Sequence, residues 1–153
     1  MKRVLLTGMS GTGKSSVIRE LAGLGFKAVD ADDGWCEPLA DGRQRWREDA
    51  IGRLLGTEDA EVLFLAGCEE NQVRFHPQFD VIILLSAPAE IILDRLSART
   101  GNQYGKAPGE LRRILEDVQA VEPRLRLVAD HEITTTMPLQ DVVITVLHLA
   151  GLS

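Results

Sequence analysis

The chain is short of several things, and each shortage narrows what it can be. Its two cysteines, Cys36 and Cys68, stand outside any CxxC spacing and have no partner histidines, so neither a disulfide framework nor a zinc centre is expected. It has no surplus of positive charge. Lys and Arg number 17 against 23 Asp and Glu, a net charge of -6, which excludes the broad basic surface that neutralises a nucleic-acid backbone. No apolar run approaches the ~18 residues of a membrane helix, and the one in "MKRVLLTG" is shorter than a secretory h-region. The expectation is a cytoplasmic protein with reduced thiols, off the membrane and without nucleic-acid partners. Internal repeats and low-complexity tracts are missing too. His76, His131 and His148 share no ligand spacing and are read as structural or surface residues.

What is present alternates between two periods. Apolar runs of strand length occur at "VLLT" (4–7), "FKAVD" (26–30), "VLFLA" (62–66) and "VIILL" (81–85), with a weaker fifth at "HEITT" (131–135). Their near-continuous hydrophobicity suits strands covered on both faces. Between them lie residues at helical spacing: Val17, Leu21 and Leu24; Trp46, Ala50 and Leu54; Ile91, Arg95, Leu96 and Arg99. Alternation of this kind predicts βαβ units, and hence an α/β domain with a parallel sheet. At 153 residues, 44% of them hydrophobic, the chain suffices for one such domain spanning 1–153. Residues 33–57 read as a helical region. Residues 99–110, "RTGNQYGKAPGE", read as a glycine-rich loop before a helix that Pro123 kinks or ends, and Pro138 opens the last helix.

One stretch is neither strand nor helix interior. "GMSGTGKSS" follows the first strand, and its Gly8, Gly13, Lys14 and Ser15 satisfy G-x-x-x-x-G-K-[ST], the P-loop, in the strand-loop-helix context that gives the pattern its meaning. Glycine backbone lets successive N–H groups point inward as a nest for phosphate oxygens, and the following helix adds the partial charge of its N-terminus. The cradle therefore comprises Gly8, Ser10, Gly11, Thr12, Gly13, Lys14, Ser15 and Ser16. Lys14 reaches the β- and γ-phosphates, and the Ser15 hydroxyl is a Mg²⁺ ligand. The bound nucleotide is expected to be ATP.

Two further absences direct the next step. D-x-x-G and N-K-x-D do not occur, which excludes a guanine-nucleotide switch. Strand three ends in "LFLAGCEENQ" without an aspartate, so the acidic partner of the metal must come from "AVDADDG", where Asp30, Asp32 and Asp33 lie at the carboxyl end of strand two.

With these elements the chain resembles the small-molecule kinases of the P-loop superfamily, the shikimate kinase and nucleoside monophosphate kinase group, over nearly its whole length. The resemblance rests on the P-loop, "VDADD", "RWRED", the Arg pair after strand four, the glycine-rich segment and "ITTT-P" before the last helix. It implies that Asp30 helps hold the hydrated magnesium and that Asp32 binds the acceptor hydroxyl, acting as its base. Arg95 would then stack on adenine, Arg99 would bridge the phosphates, and Pro138 would border the nucleotide. Residues 99–110 would form a lid carrying Tyr104 and Lys106. On the acceptor side it implies Arg47 for a substrate anion, Trp35 and Trp46 as walls, and Gly67 and Glu70 beside the acceptor. Departures lie on that same side. "AGCEEN" replaces a glycine triplet, the lid arginines are not reproduced, and Glu69, Glu70 and Asn71 suit a cationic or hydroxyl-rich acceptor better than an anionic one.

The reading that follows is a single-domain α/β P-loop NTPase fold, with a five-stranded parallel sheet of order 2-3-1-4-5 flanked by helices. Its expected activity is ATP- and Mg²⁺-dependent transfer of the γ-phosphoryl group to a small-molecule hydroxyl by a monomer or weak homodimer. Lys14, Asp32 and Arg99 would be catalytic. A nucleoside monophosphate kinase and an ATP-binding module or ATPase without an acceptor remain alternatives.

Overall fold

The computed structural model describes residues 1–9, 11–98 and 108–152. Five strands form the main sheet: β1 (Lys2–Thr7), β2 (Lys27–Asp30), β5 (Val62–Ala66), β6 (Val81–Ser86) and β7 (His131–Thr134), in the order β2-β5-β1-β6-β7. Every pairing is parallel, with Lys2 opposite Val62 and Val4 opposite Val81. Counted among themselves, these strands have the expected order 2-3-1-4-5.

The apolar runs are continuous because both faces of the sheet are covered. Val4, Leu6, Phe64, Ile83 and Leu85 point to one face, beneath Val17 and Leu21 of α1 (Lys14–Gly23) and Val142 and Val146 of α5 (Leu139–Leu149). Their neighbours Leu5, Leu63, Leu65 and Ile82 point to the other, beneath Trp46, Phe75, and Ile51, Leu54 and Leu55 of α2 (Glu48–Leu55). One-residue alternation thus divides each strand between two cores. Helices α3 (Ala89–Ala98) and α4 (Pro108–Val128) close a third, smaller cluster around Ile92, Leu96 and Ile114. Among the described residues no helix is long and apolar enough to cross a membrane.

The structure differs from the sequence reading in the region between β2 and β5. Residues 33–57 are not helical throughout: β3 (Cys36–Pro38) and β4 (Gln44–Trp46) form an antiparallel two-stranded sheet of their own, and α2 starts only at Glu48. Trp46 therefore lies on a strand, outside the helix that holds Ala50 and Leu54. A 3₁₀ helix, Glu70–Gln78, follows β5. Helix α4 runs past Pro123 to Val128. Proline removes one backbone hydrogen bond there, but tertiary contacts hold the last turns: Leu125 is buried and Arg126 binds Glu132. Of the expected lid, residues 99–107 lie outside the described residues, together with Arg99, Tyr104 and Lys106, as does Ser10 of the P-loop. Pro108 opens α4, a first-turn position where its missing N–H costs nothing.

Candidate functional site

Because β1 is the central strand, the loop leaving its carboxyl end faces the crevice between strands on either side, the usual ligand site of open α/β sheets. Gly13 caps α1 at φ 97°, a left-handed conformation that side chains rarely adopt, and a Cβ there would meet nothing within 4 Å. Glycine is thus required at this cap by its backbone angle and not by crowding. Lys14 Nζ donates to the Gly8 and Met9 carbonyls, the latter at 3.0 Å, so the lysine is already folded over the loop. Thr12 is fully buried, its hydroxyl donating to Met9 O at 2.7 Å.

The metal pair expected from sequence is brought together. Ser15 Oγ donates to Asp30 Oδ2 at 2.6 Å, although the residues lie on different elements, and Asp30 Oδ1 accepts the Asp32 backbone N–H at 3.0 Å. Two adjacent hard oxygen donors beside a phosphate nest suit magnesium.

On the opposite flank of the P-loop lies a cavity of about 340 Å³ lined by Gly11, Thr12, Gly13, Ser16, Arg95 and Met137, with Val17, Thr135, Leu139 and Val142 completing it. Arg95 is fixed as one wall. Its guanidinium donates to Gly11 O at 3.0 Å, to Thr135 Oγ1 at 3.0 Å and to Thr135 O at 2.5 Å. Thr135, buried at the end of β7, donates in turn to Thr12 O at 2.8 Å. Pro138 caps α5 and places its neighbours Met137 and Leu139 on the cavity wall without lining it itself.

The acceptor-side residues do not gather as the sequence implied. Arg47 caps α2 and donates from Nε to Cys36 O at 3.1 Å. Trp35 lines a separate apolar hollow of about 300 Å³ with Ala50, Arg53, Leu54 and Thr57. Trp46 is no wall: it is fully buried, packs on Phe75 with ring centroids 5.9 Å apart, and leaves its indole N–H without an acceptor. Gly67 serves that indole, because a Cβ at Gly67 would stand 2.8 Å from the Trp46 ring. Glu70 is exposed and binds Arg43 at 2.7 Å.

Asp32 meets a different set of partners. Gln44 Nε2 donates both to Asp32 Oδ1 at 3.0 Å and to Glu69 Oε1 at 2.8 Å, tying the hairpin to the ends of β2 and β5. Glu69 also accepts the Gln72 backbone N–H in a capping box that opens the 3₁₀ helix. Gln72, itself buried, donates to Thr7 Oγ1 at 3.1 Å and so anchors this segment to β1. Partial burial, and then the charge of Asp30, raise the Asp32 carboxyl above its ordinary value, against the pull of Lys14 and Gln44. Glu69 is raised by burial in the same way, with Asp32 adding. Burial, Glu69, Asp32 and Asp30 push the Cys36 thiol up to about 12, so it stays protonated beside them. Oxygens of Asp32 and Glu69 and the Cys36 sulfur lie within 4.8 Å of one another.

Sequence reasoning missed Gln44, Gln72 and Thr135 as site residues. Only Thr135 left a trace, in the "ITTT-P" stretch. A hairpin signal was also present: Asp41-Gly42, with Gly42 at φ 85°, is the dipeptide that tight β-turns favour.

The sequence signature of the AAA domain matches residues 4–120. No curated protein matches the sequence. Among solved structures, shikimate kinase from Acinetobacter baumannii in complex with shikimate superposes with a TM-score of 0.70 at 22% identity, covering 97% of this chain and 92% of that one. Shikimate kinase from Bacteroides thetaiotaomicron gives 0.69 at 17% identity, over 99% of both chains. A gluconokinase from Sinorhizobium meliloti 1021 gives 0.66 at 18% identity, over 98% of this chain and 91% of its own. At these identities the likeness establishes a shared fold.

Proposed function

Because the chain belongs to the AAA domain family, we propose that it is an ATP- and Mg²⁺-dependent phosphotransferase acting on the hydroxyl group of a small molecule. The observation that carries this reading is the bond between Ser15 and Asp30 across the crevice, with Asp32 beside it: a metal pair and a hydroxyl-binding carboxylate on one rim, next to the P-loop. Neighbours of similar fold titled as shikimate kinases and a gluconokinase support it.

In the reaction the acceptor oxygen forms a bond to the γ-phosphorus, the bond to the β,γ-bridging oxygen breaks with its electron pair leaving on ADP, and the hydroxyl proton is released. Gly11, Gly13 and the start of α1 present backbone N–H groups to phosphate oxygens, and Lys14 places its charge over the same loop. Ser15 and Asp30 would hold magnesium, which when bound neutralises phosphate charge. Arg95, Met137 and Leu139 form the slot for the base, a planar cation facing apolar side chains. Asp32, at the rim beside Asp30, accepts the hydroxyl proton. Catalysis of this type is chiefly placement and electrostatics.

The test is ADP formation from Mg²⁺-ATP across hydroxylated acceptors, including nucleoside monophosphates. Acceptor-dependent turnover that falls on the order of 10²-fold or more in Lys14→Ala is the expected result. Turnover confined to nucleoside monophosphates would establish the nucleotide kinase alternative. Phosphate release at one rate with every acceptor would overturn transfer in favour of an ATPase.

A further inference from the structure

Where the sheet opens onto the crevice, one buried amide spans the gap between two strands. Pairing of β5 with β1 ends at Leu6 and Ala66, followed only by the Gly67 N–H on Leu6 O at 3.1 Å, whereas β1 runs one residue further beside β6, with Thr7 opposite Leu84. Beyond Gly67 the chain is leaving the sheet. Its next fully enclosed residue is Gln72, 3% exposed, whose Nε2 donates at 3.1 Å to Oγ1 of the fully buried Thr7. That same hydroxyl donates to the Cys68 sulfur on the departing segment. A polar side chain buried this deeply is costly unless its bonds are made, and Gln72 makes them at both ends of its amide. Its Oε1 accepts the Glu69 N–H at 3.3 Å, and the Glu69 side chain accepts the Gln72 N–H in return.

Resting on the phosphotransferase reading, we propose that Gln72 is a positioning residue for the transfer: it ties the acceptor rim to the strand that carries the P-loop, and so sets the distance between acceptor and nucleotide. The tie is a chain of hydrogen bonds. Thr7 directly precedes Gly8, Gln72 joins Thr7 to Glu69, and the Gln44 amide joins Glu69 at 2.8 Å to Asp32 at 3.0 Å, the carboxylate that meets the acceptor hydroxyl in that reading. Both carboxylates face the P-loop closely enough for the Lys14 ammonium to pull them down against their burial. In-line attack needs the reacting atoms about 3–3.5 Å apart, and a misplacement of about 1 Å costs on the order of 10²-fold in rate. Nucleotide binding does not depend on this register, because Arg95, Thr135 and Met137 line the opposite flank of the P-loop. Water reaches a γ-phosphate without being held by the rim, so hydrolysis in the absence of acceptor does not depend on it either.

The experiment compares the full-length protein with Gln72→Met, which keeps the volume and removes the amide, Thr7→Val, which removes the hydroxyl, Thr7→Ser, which keeps it, and the double variant Gln72→Met/Thr7→Val. Each is assayed for transfer from Mg²⁺-ATP to whichever of shikimate, gluconate, glucose and AMP the wild type uses fastest, for phosphate release without acceptor, for Mg²⁺-ATP Kd and for melting temperature. In Gln72→Met and Thr7→Val the kcat of transfer should fall about tenfold or more, while hydrolysis and Mg²⁺-ATP Kd stay within about threefold of wild type. Thr7→Ser should transfer within about threefold of wild type. Replacing both partners by apolar groups of similar shape leaves neither of that pair unsatisfied, so the double variant should recover melting temperature while its transfer stays as low as in the single variants. A double variant that regains transfer along with stability, or equal losses of transfer and hydrolysis, would overturn the inference and leave Gln72 a structural residue. Wild-type transfer left intact by both single variants would overturn it as well. Phosphate release by the wild type at one rate with all four acceptors would instead overturn the phosphotransferase reading, and the inference with it.

Discussion

Thr135 illustrates what a single hydroxyl holds together in this protein. It accepts from Arg95 Nη1 and donates to Thr12 O, so the P-loop, α3 and the end of β7 meet at one buried atom. Thr135→Val keeps the shape and removes these bonds together with a longer one to Ser86 O at 3.2 Å, leaving Thr12 O and one Arg95 N–H without that partner. We expect a loss of about 1–3 kcal/mol in urea unfolding and a several-fold rise in nucleotide Kd, measured by titration of the same variant. Such a residue is hard to read from sequence because its partner Thr12 stands 123 positions away. Gln44 and Glu69 pose the same difficulty at a separation of 25. Lys14, Ser15 and the glycines were legible because the P-loop is local: its chemistry is completed within one turn of chain and one helix start. Asp30 and Asp32 were legible for a related reason, since the end of a core strand in a parallel sheet fixes which rim a residue occupies.

Among the elements, four core strands announced themselves through apolar runs and the fifth, "HEITT", only weakly, whereas the β3–β4 hairpin did not. Its strands are short and mostly polar, and Trp46 happens to fall at helical spacing from Ala50 and Leu54, which hides the strand. What makes Trp46 a strand residue is remote. The Asn71 side chain accepts from Trp46 N at 3.0 Å and donates to Trp46 O at 2.9 Å, standing in for a neighbouring strand. Asn71→Ala should therefore cost about 1–3 kcal/mol in chemical denaturation and raise acceptor KM more than nucleotide KM, because the hairpin carries Gln44. A second element-level bond joins α4 to β7. Arg126 Nε lies 2.7 Å from Glu132, which also accepts from Ser86 Oγ at 2.7 Å. The guanidinium, then the hydroxyl, hold the Glu132 carboxyl below its ordinary value of 4.5. A depressed carboxylate stabilises the folded state above that value and loses the contribution as pH falls through the folded pKa. Glu132→Gln should thus lower stability at pH 7 by about 0.5–1 kcal/mol, since the pair is partly exposed and screened, and the two proteins should converge in urea titrations carried below pH 4.5.

For the whole molecule, the proposed function divides labour between two sides of one crevice. The nucleotide side is built from β1, α1, β7 and α5, elements whose apolar faces fuse into the main core. A ligand that binds only the folded state adds to its stability, by about 2.7 kcal/mol at one hundred times its Kd. Mg²⁺-ATP should accordingly raise the melting temperature of the wild-type protein, and the shift should be strongly reduced in Lys14→Ala. The acceptor side hangs differently. Its hairpin shares no strand pairing with the main sheet; among the described contacts that fasten it are the Trp46 side chain in the second core, the Asn71 clasp, the Gln44 bridge and the Arg43–Glu70 ion pair. The chain from Asp33 to Trp46, beyond the Asp32 whose N–H holds Asp30, is thus a removable cassette. A loop grafted from another protein with tryptophan kept at its last strand position would inherit its seat on Asn71 and Gly67, and substrate choice could be exchanged while the nucleotide half is left as it stands.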